Sequence, residues 1–337
     1  MKLLDFTAEG LRFPDGTHSF RAAQSGAPHD VVLVTGPPTS GKTSFLLAIA
    51  ALKEAFGPYG SPPDLRRLLR PGKNRGVLGA TWLLSEDEAA RAHLSAREQR
   101  TLVEFGPGAE KRTGDPSLRN VFTPFSRAPT LGKLELFPQN RGLRVDQWRF
   151  PHEPLSAAVE EGRRLRGDPD KYTSLRRALF DLVNEQAARV AEALGSRGIA
   201  VRADVPDLLA PFKHAIATML PELRLTAVRL REGSVSLELL RRDGRTVTLE
   251  EVSASEEQAL LFALAHGAMQ FHHSVLLVDE PELHQHSAHH AELLLRLAKL
   301  GSGNQILAAT GSEPLVARFP AEQVIDLGKA ARGAVVK

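Results

Sequence analysis

The chain contains no cysteine. Disulfides, thiolate metal sites and cysteine nucleophiles are therefore excluded, and the composition is compatible with a reducing cytoplasm. Long apolar runs are also missing. The longest, "FLLAIAAL" at 45–52, has the length of a core helix and falls well short of the ~20 residues a membrane span needs. A secretory leader is not written in the first residues either, because Asp5 and Glu9 interrupt "MKLLDFTAEGLRF". Charge of one sign is not in excess: 43 basic against 40 acidic residues leave a net +3. So balanced a chain carries little bulk attraction for nucleic acid. No segment holds a heptad beyond one ordinary helix, which rules out a long coiled coil, and no repeat of solenoid period is visible.

What is present is a globular profile, 337 residues with 42% hydrophobic and 25% charged. "LLDFTAEGLRF" and "THSFRA" read as short strands around a Pro14-Asp15-Gly16 turn. "DVVLVTG" reads as a buried strand, followed by a helix from Lys42 through Leu52. Residues 57–75 and 106–132 are rich in Pro and Gly and read as loops, with strands "VLGATWLLSE" and "QRTLVEF" between them and "KLELFPQNRGL" after. The middle reads as helical. Leu175, Leu179, Leu182, Val183, Ala187, Val190 and Leu194 share one stripe, and "DLLAPFKHAIATML" reads as a second helix. A hairpin turns at Asp243-Gly244. Helix "EEQALLFALAHGAMQ", strand "SVLLVDE", helix "HHAELLLRLAKL" and strand "NQILAAT" complete the order. Alternating strands and helices at both ends, with helices between, predict an α/β core with an inserted helical lobe. The expected division is 1–150, 151–270 and 271–337.

"VTGPPTSGKTS" carries the first chemical signal. Gly36, Pro37, Pro38, Thr39, Ser40, Gly41, Lys42, Thr43 and Ser44 lie between a strand and a helix, the setting a phosphate loop requires. Backbone N–H groups there point at an anion, and the helix dipole adds to the attraction. Lys42 is expected on the β/γ-phosphates and Thr43 on Mg²⁺. A metal shell also needs a carboxylate at a strand end. Val275 to Val278 run into Asp279 and Glu280, expected to hold Mg²⁺ and to activate water. Ser253-x-x-Glu256 forms a capping box at the head of an apolar helix.

These segments together resemble a family. "VSASEEQ" resembles the "LSSGEQQ" signature of ABC-type ATPases, in the branch of SMC, RecF and overcoming-lysogenization-defect proteins. "DEPELHQH" resembles that branch's "DEPELHLHP", "NQILAATGSEP" its "QIIVTTHSPE", and "LELFPQNR" its aromatic-Pro-x-x-Arg segment. The motifs occur in order along nearly the whole chain. The resemblance implies a P-loop ATPase head that binds ATP and Mg²⁺, with Lys42 and Glu280 catalytic. It implies a head-to-tail dimer in which Ser253, Ala254, Ser255 and Glu256 close the opposite site, with a second copy or a related head as partner. Gln139 is its nearest match to the γ-phosphate-sensing glutamine. Two positions depart from the pattern: Ser255 stands for the signature glycine, and Gly311 for the switch histidine. Both point to slow hydrolysis.

The stretch after the switch strand is too short for the Toprim nuclease of the lysogenization-defect proteins. The expectation is thus a stand-alone head of the AAA family ATPase kind used in anti-phage defence, cytoplasmic, gating an effector protein and not bound to a membrane. The alternatives are a RecF-like DNA repair or replication ATPase, and a nucleotide-gated scaffold with little turnover. Nucleic acid is a candidate partner through two basic runs, Arg66, Arg67, Arg70, Lys73, Arg75 and Arg163, Arg164, Arg166, Lys171, Arg176, Arg177. Histidines 272, 273, 284, 286, 289 and 290 read as motif and helix-end residues rather than a metal centre.

Overall fold

The computed structural model describes residues 1–60, 63–123, 130–143, 164–167, 171–172, 174–197, 205–231 and 234–329. Its strands are β1 (Lys2–Glu9), β2 (Gly16–Ser19), β3 (Val31–Thr35), β4 (Gly76–Leu83), β5 (Glu98–Gly106), β6 (Ala109–Thr113), β7 (Leu134–Phe137), β8 (Leu223–Arg231), β9 (Ser234–Arg241), β10 (Thr246–Thr248), β11 (Val275–Asp279), β12 (Gln305–Ala309) and β13 (Val324–Asp326). The longer helices are α1 (Lys42–Phe56), α2 (Ser174–Arg197), α3 (Ala210–Met219), α4 (Ala254–Met269) and α5 (His290–Ala298). Among the described residues no helix is long and apolar enough to cross a membrane. The chain divides into two compact units. One comprises residues 1–140, 155–168 and 271–337, the other 141–154 and 169–270.

The first unit holds a parallel sheet in the order β13-β3-β12-β11-β7. Its inner strands, VVLVT, QILAA and VLLVD, are apolar almost throughout because a parallel strand is covered on both faces. Register sets Asp279 beside Ala309 and Ala309 beside Val34. The carboxyl ends of β3, β12 and β11 therefore finish side by side, the edge where open α/β sheets bind ligands. A second, antiparallel sheet runs β2-β1-β4-β5-β6. The buried Gln305 side chain stitches the sheets together. Its Oε1 accepts from Leu3 N at 2.6 Å, and its Nε2 donates to Leu3 O and His29 O at 2.9 and 3.2 Å. The rings of Phe6 and Phe13 each meet the Phe45 ring edge to face where α1 joins this core.

Two parts of this unit differ from expectation. Residues 106–132, read as loop, contain β6 and a short helix, Arg119–Phe122. β6 is an exposed edge strand of sequence AEKRT, and an edge blunted with charge has no apolar alternation to read. β13 adds a strand at the other end of the parallel sheet, again short and half-buried.

In the second unit, β10-β9-β8 form an antiparallel sheet that turns at Asp243-Gly244, with Gly244 at φ 86°. β8 had no counterpart among the strands expected from sequence. α3 and α4 pack closely, and α4 is buried from Gln258 to Met269. The α2 stripe is buried only at its start: Leu175 and Leu179 are enclosed, while Ala187 is exposed and Leu194 is 46% exposed. Helical period places those residues on one face, but only a facing element buries them.

Candidate functional site

The phosphate-loop segment leaves β3 at Thr35 and enters α1 at Lys42. Gly36 and Gly41 take φ of 149° and 91°. A Cβ on Gly41 would fall 2.7 Å from Arg12 O and from Phe13 Cβ, so both conformation and space require glycine there. Thr39 also has positive φ, 66°. α1 begins without a capping side chain and without an acid in its first turn. The N–H groups of a helix's first turn have no acceptor within the helix, and its positive dipole end favours an anion. Lys42 Nζ donates to Gly36 O at 3.0 Å and Pro37 O at 3.2 Å, folded over the loop. Pro37, Pro38 and Thr39 line the outer side of the loop, and Ser40 and Ser44 are half-buried. Beside them lies a groove of about 920 Å³, lined by Arg12, Asp15, Pro37, Ser40, Asp326 and Lys329 among others.

Asp279, 4% exposed, ends β11. Thr43 Oγ1 donates to its carboxylate, 2.9 Å from Oδ2 and 3.1 Å from Oδ1. A hydroxyl and a carboxylate meeting at the mouth of a phosphate loop suit a hard cation that takes its remaining ligands from phosphates and water. Mg²⁺ fits this donor set, with Thr43 and Asp279 as the residues that would hold it. Glu280 comes next at φ 48°, a strained conformation for a non-glycine residue of the kind that gathers at functional sites. Its backbone N donates to Ala309 O at 2.9 Å. Gln139 Nε2 donates to its Oε2 at 2.8 Å. Gln139 and Asn140 are the last residues before the chain passes into the second unit.

Gly311 comes after β12, and a Cβ there would meet no atom within 4 Å. Its N–H donates to Glu282 Oε1 at 3.0 Å. The neighbouring histidines are used locally. His286 Nδ1 accepts from Ala288 N, and His290 bridges Ser312 Oγ and Gln285 O. Since a carbonyl only accepts, His290 donates to Gln285 O through Nε2.

Ser253, Ser255 and Glu256 belong to the second unit, whereas the loop and the acids of β11 belong to the first. Ser253 caps α4 in a reciprocal box. Its Oγ accepts from Glu256 N at 3.3 Å, and its N donates to Glu256 Oε2 at 2.8 Å. Ser255 Oγ is 3.1 Å from Ser253 Oγ. Arg241, which the sequence did not single out, grips Glu256 with both Nη atoms at 2.7 and 3.0 Å. Burial acts to raise the Glu256 pKa, but the bonds from Arg241 and Ser253 outweigh it and hold the carboxyl below its usual range. The only sequence signal for Arg241 was its place at the end of a strand in a hairpin.

The basic runs come out differently. Arg66, Arg67, Lys73 and Arg75 are exposed, whereas Arg70 is tied to Leu11 O, Phe13 O and Asp15. The second run is not a surface patch. Arg164, Lys171 and Arg176 are buried, and the run is split between the two units. Arg176 pairs with Glu250 at 2.6 Å. Arg166 is exposed, while Arg163 and the Arg177 side chain lie outside the described residues. Clustered charge in sequence misleads here because Arg164, Lys171 and Arg176 are buried while Arg166 is exposed.

No family model matches the chain, and no curated protein does. Solved structures do. An Smc head bound to the C-winged helix domain of ScpA is 13% identical, with 98% of this chain and 100% of that chain covered and a TM-score of 0.50. An Smc head domain with an extended coiled coil, bound to the C-terminal domain of ScpA derived from Pyrococcus furiosus, is 14% identical, with 99% and 98% covered and a TM-score of 0.51. The fold is that of these Smc head domains, a mixed α/β P-loop fold. Among the described residues the longest helix is Ser174–Arg197, and no long coiled coil is present.

Proposed function

We propose that this chain is an ATP-binding ABC-type head that hydrolyses ATP slowly, dimerises on binding it and gates a partner effector in the cytoplasm, in anti-phage defence. The observation that carries the nucleotide part is the Thr43–Asp279 contact, which joins two motifs 236 residues apart at the mouth of one loop. In this reading Lys42 leaves its two loop carbonyls for the β/γ-phosphates, and the free N–H groups of α1 bind the same anion. The groove beside Pro37 receives the nucleoside. Bound Mg²⁺ would supply charge neutralisation on the phosphates, held by Thr43 and Asp279. Glu280 orients the attacking water. Gln139, bonded to Glu280 and placed where the chain leaves the first unit, senses the γ-phosphate.

The dimer reading rests on Ser253, Ser255 and Glu256, which stand in the second unit at a helix N-terminus suited to a phosphate from another head. The matched Smc heads are bound to a domain of ScpA, which supports a protein partner for this head as well. Gly311 and Ser255 support slow turnover. The test is nucleotide titration of the wild type and Lys42→Ala. ATP with Mg²⁺ should bind the wild type, and Lys42→Ala should lose that binding. Equal affinity in the two would refute the assignment.

A further inference from the structure

Glu282 stands just beyond Asp279 and Glu280 and has no role in the proposed hydrolysis. Its Oε1 accepts two hydrogen bonds, from Thr310 Oγ1 at 2.7 Å and from Gly311 N at 3.0 Å. Its Oε2 is buried with no hydrogen-bond partner among the described residues. A buried carboxylate oxygen without a protein donor is uncommon, so the arrangement calls for a reason. The two donors it holds mark one. Thr310 N donates to Val34 O at 3.0 Å, on the strand that feeds the phosphate loop. Thr310 Oγ1 in turn accepts from Ser312 N at 2.9 Å. Ser312 caps the short helix Glu313–Val316 and is bonded to His290. Every residue of the 310–312 turn is thus anchored, and Gly311 is anchored through Glu282. With no side chain, and with no atom within 4 Å of where a Cβ would lie, Gly311 has only its backbone by which to be held.

We infer that Glu282 is a positioning residue for ATP hydrolysis: it fixes the tip of β12 against the acidic end of β11, holding through the backbone a turn that no side chain at position 311 can hold. The inference rests on the ATPase proposal. Glu282 acts through Thr310 and Gly311, which lie beside the carboxyl ends of β3 and β11, and it holds Asp279 and Glu280 at a set distance from that turn. A purely local role would change the melting temperature and leave the ratio of turnover to binding alone.

The test compares wild type, Glu282→Ala and Glu282→Gln in the full chain. Hydrogen exchange of the peptide spanning 310–312 should quicken by about tenfold or more in Glu282→Ala, because a clamped turn becomes free to open. Single-turnover hydrolysis should fall by about ten- to a hundredfold, as small misplacements near reacting groups do. ATP affinity should stay near wild type. Glu282→Gln keeps an acceptor oxygen and should keep most of the protection and the rate. Unchanged exchange in Glu282→Ala, a wild-type rate, or a loss that tracks ATP affinity instead of turnover would each overturn the inference. A wild type that binds ATP without hydrolysing it would remove turnover from the ATPase proposal. Glu282 is then judged by exchange of the 310–312 peptide alone, which, if unchanged in Glu282→Ala, overturns the inference.

Discussion

Gly311 is where one absent side chain has the widest consequence. The resemblance places a histidine there, reaching the γ-phosphate. Loss of one preorganised contact to developing charge costs roughly 10²–10³ in rate, whereas binding, in the proposed reading, would still have Lys42, the loop N–H groups and Mg²⁺. The backbone there tolerates a side chain, because a Cβ meets no atom within 4 Å and φ is not positive. Gly311→His should fold with an unchanged melting temperature, bind ATP near wild-type affinity and hydrolyse it faster in a single turnover. Brisk hydrolysis by the unmodified protein would sink the idea of a slow head. Lys133 poses a different question at the same scale. It is fully buried, its Nζ donating to Leu131 O at 3.2 Å, and burial lowers its pKa from 10.5 to about 8. Between these values the unfolded chain holds a proton that the folded chain has released. Unfolding then requires proton uptake, so stability rises with pH across that window and the burial penalty is fully present below it. Lys133→Met should remove this rise, read as the difference between denaturant midpoints at about pH 7 and about pH 10. An identical pH slope in both proteins would show that Lys133 stays charged.

Among the elements, α3 and α4 show how closely the second unit is packed. Gly267 faces the Phe212 ring, and an added Cβ would land within the contact distance of three of its carbons. Phe212 is fully buried and cannot swing out. Gly267→Ala should therefore destabilise by roughly 1–3 kcal/mol, overpacking outweighing the better helix propensity of alanine. Chemical denaturation checks it, and a stabilised variant would mean the helices can part. Gly267 lies inside an apolar helical run and carried no sequence signal, which illustrates a general division. Strands buried on both faces were legible because VVLV, LLVD and ILAA admit few other readings. So was the capping box at Ser253, since a cap is a local pattern. The Thr43–Asp279 pair was legible because each half is a motif with a set mechanical role. β6 was not, because an exposed edge strand is selected for charge. The interior arginines were not, because Arg176 is distinguished from a surface cation only by Glu250, which lies 74 residues away. Glu282 and Arg241 escaped notice for the same reason, as both act on partners outside their own motifs.

At the scale of the whole molecule the two candidate half-sites lie in different units of one chain. The phosphate loop, Asp279 and Glu280 belong to the first, and Ser253, Ser255 and Glu256 to the second. Arg241 and Ser253 use both carboxylate oxygens of Glu256, which ties the turn at the head of α4. A preorganised turn loses little freedom on association, which favours closure by a second head. Ser255 carries a hydroxyl where the resemblance has glycine, adding a donor to the helix end but also bulk where a backbone would approach. Dimerisation should accordingly depend on ATP, and it should be strongest in Glu280→Gln, which in the proposed reading keeps the binding groups while losing the carboxylate assigned to the attacking water. Mass by light scattering with ATP, ADP and no nucleotide measures this directly. Arg241→Ala should weaken the ATP-dependent dimer without changing ATP affinity, because Arg241 acts on Glu256, in the unit that holds no phosphate loop. A monomer in all three conditions, in both wild type and Glu280→Gln and with the native partner present, would exclude the ATP sandwich and leave a head that works singly.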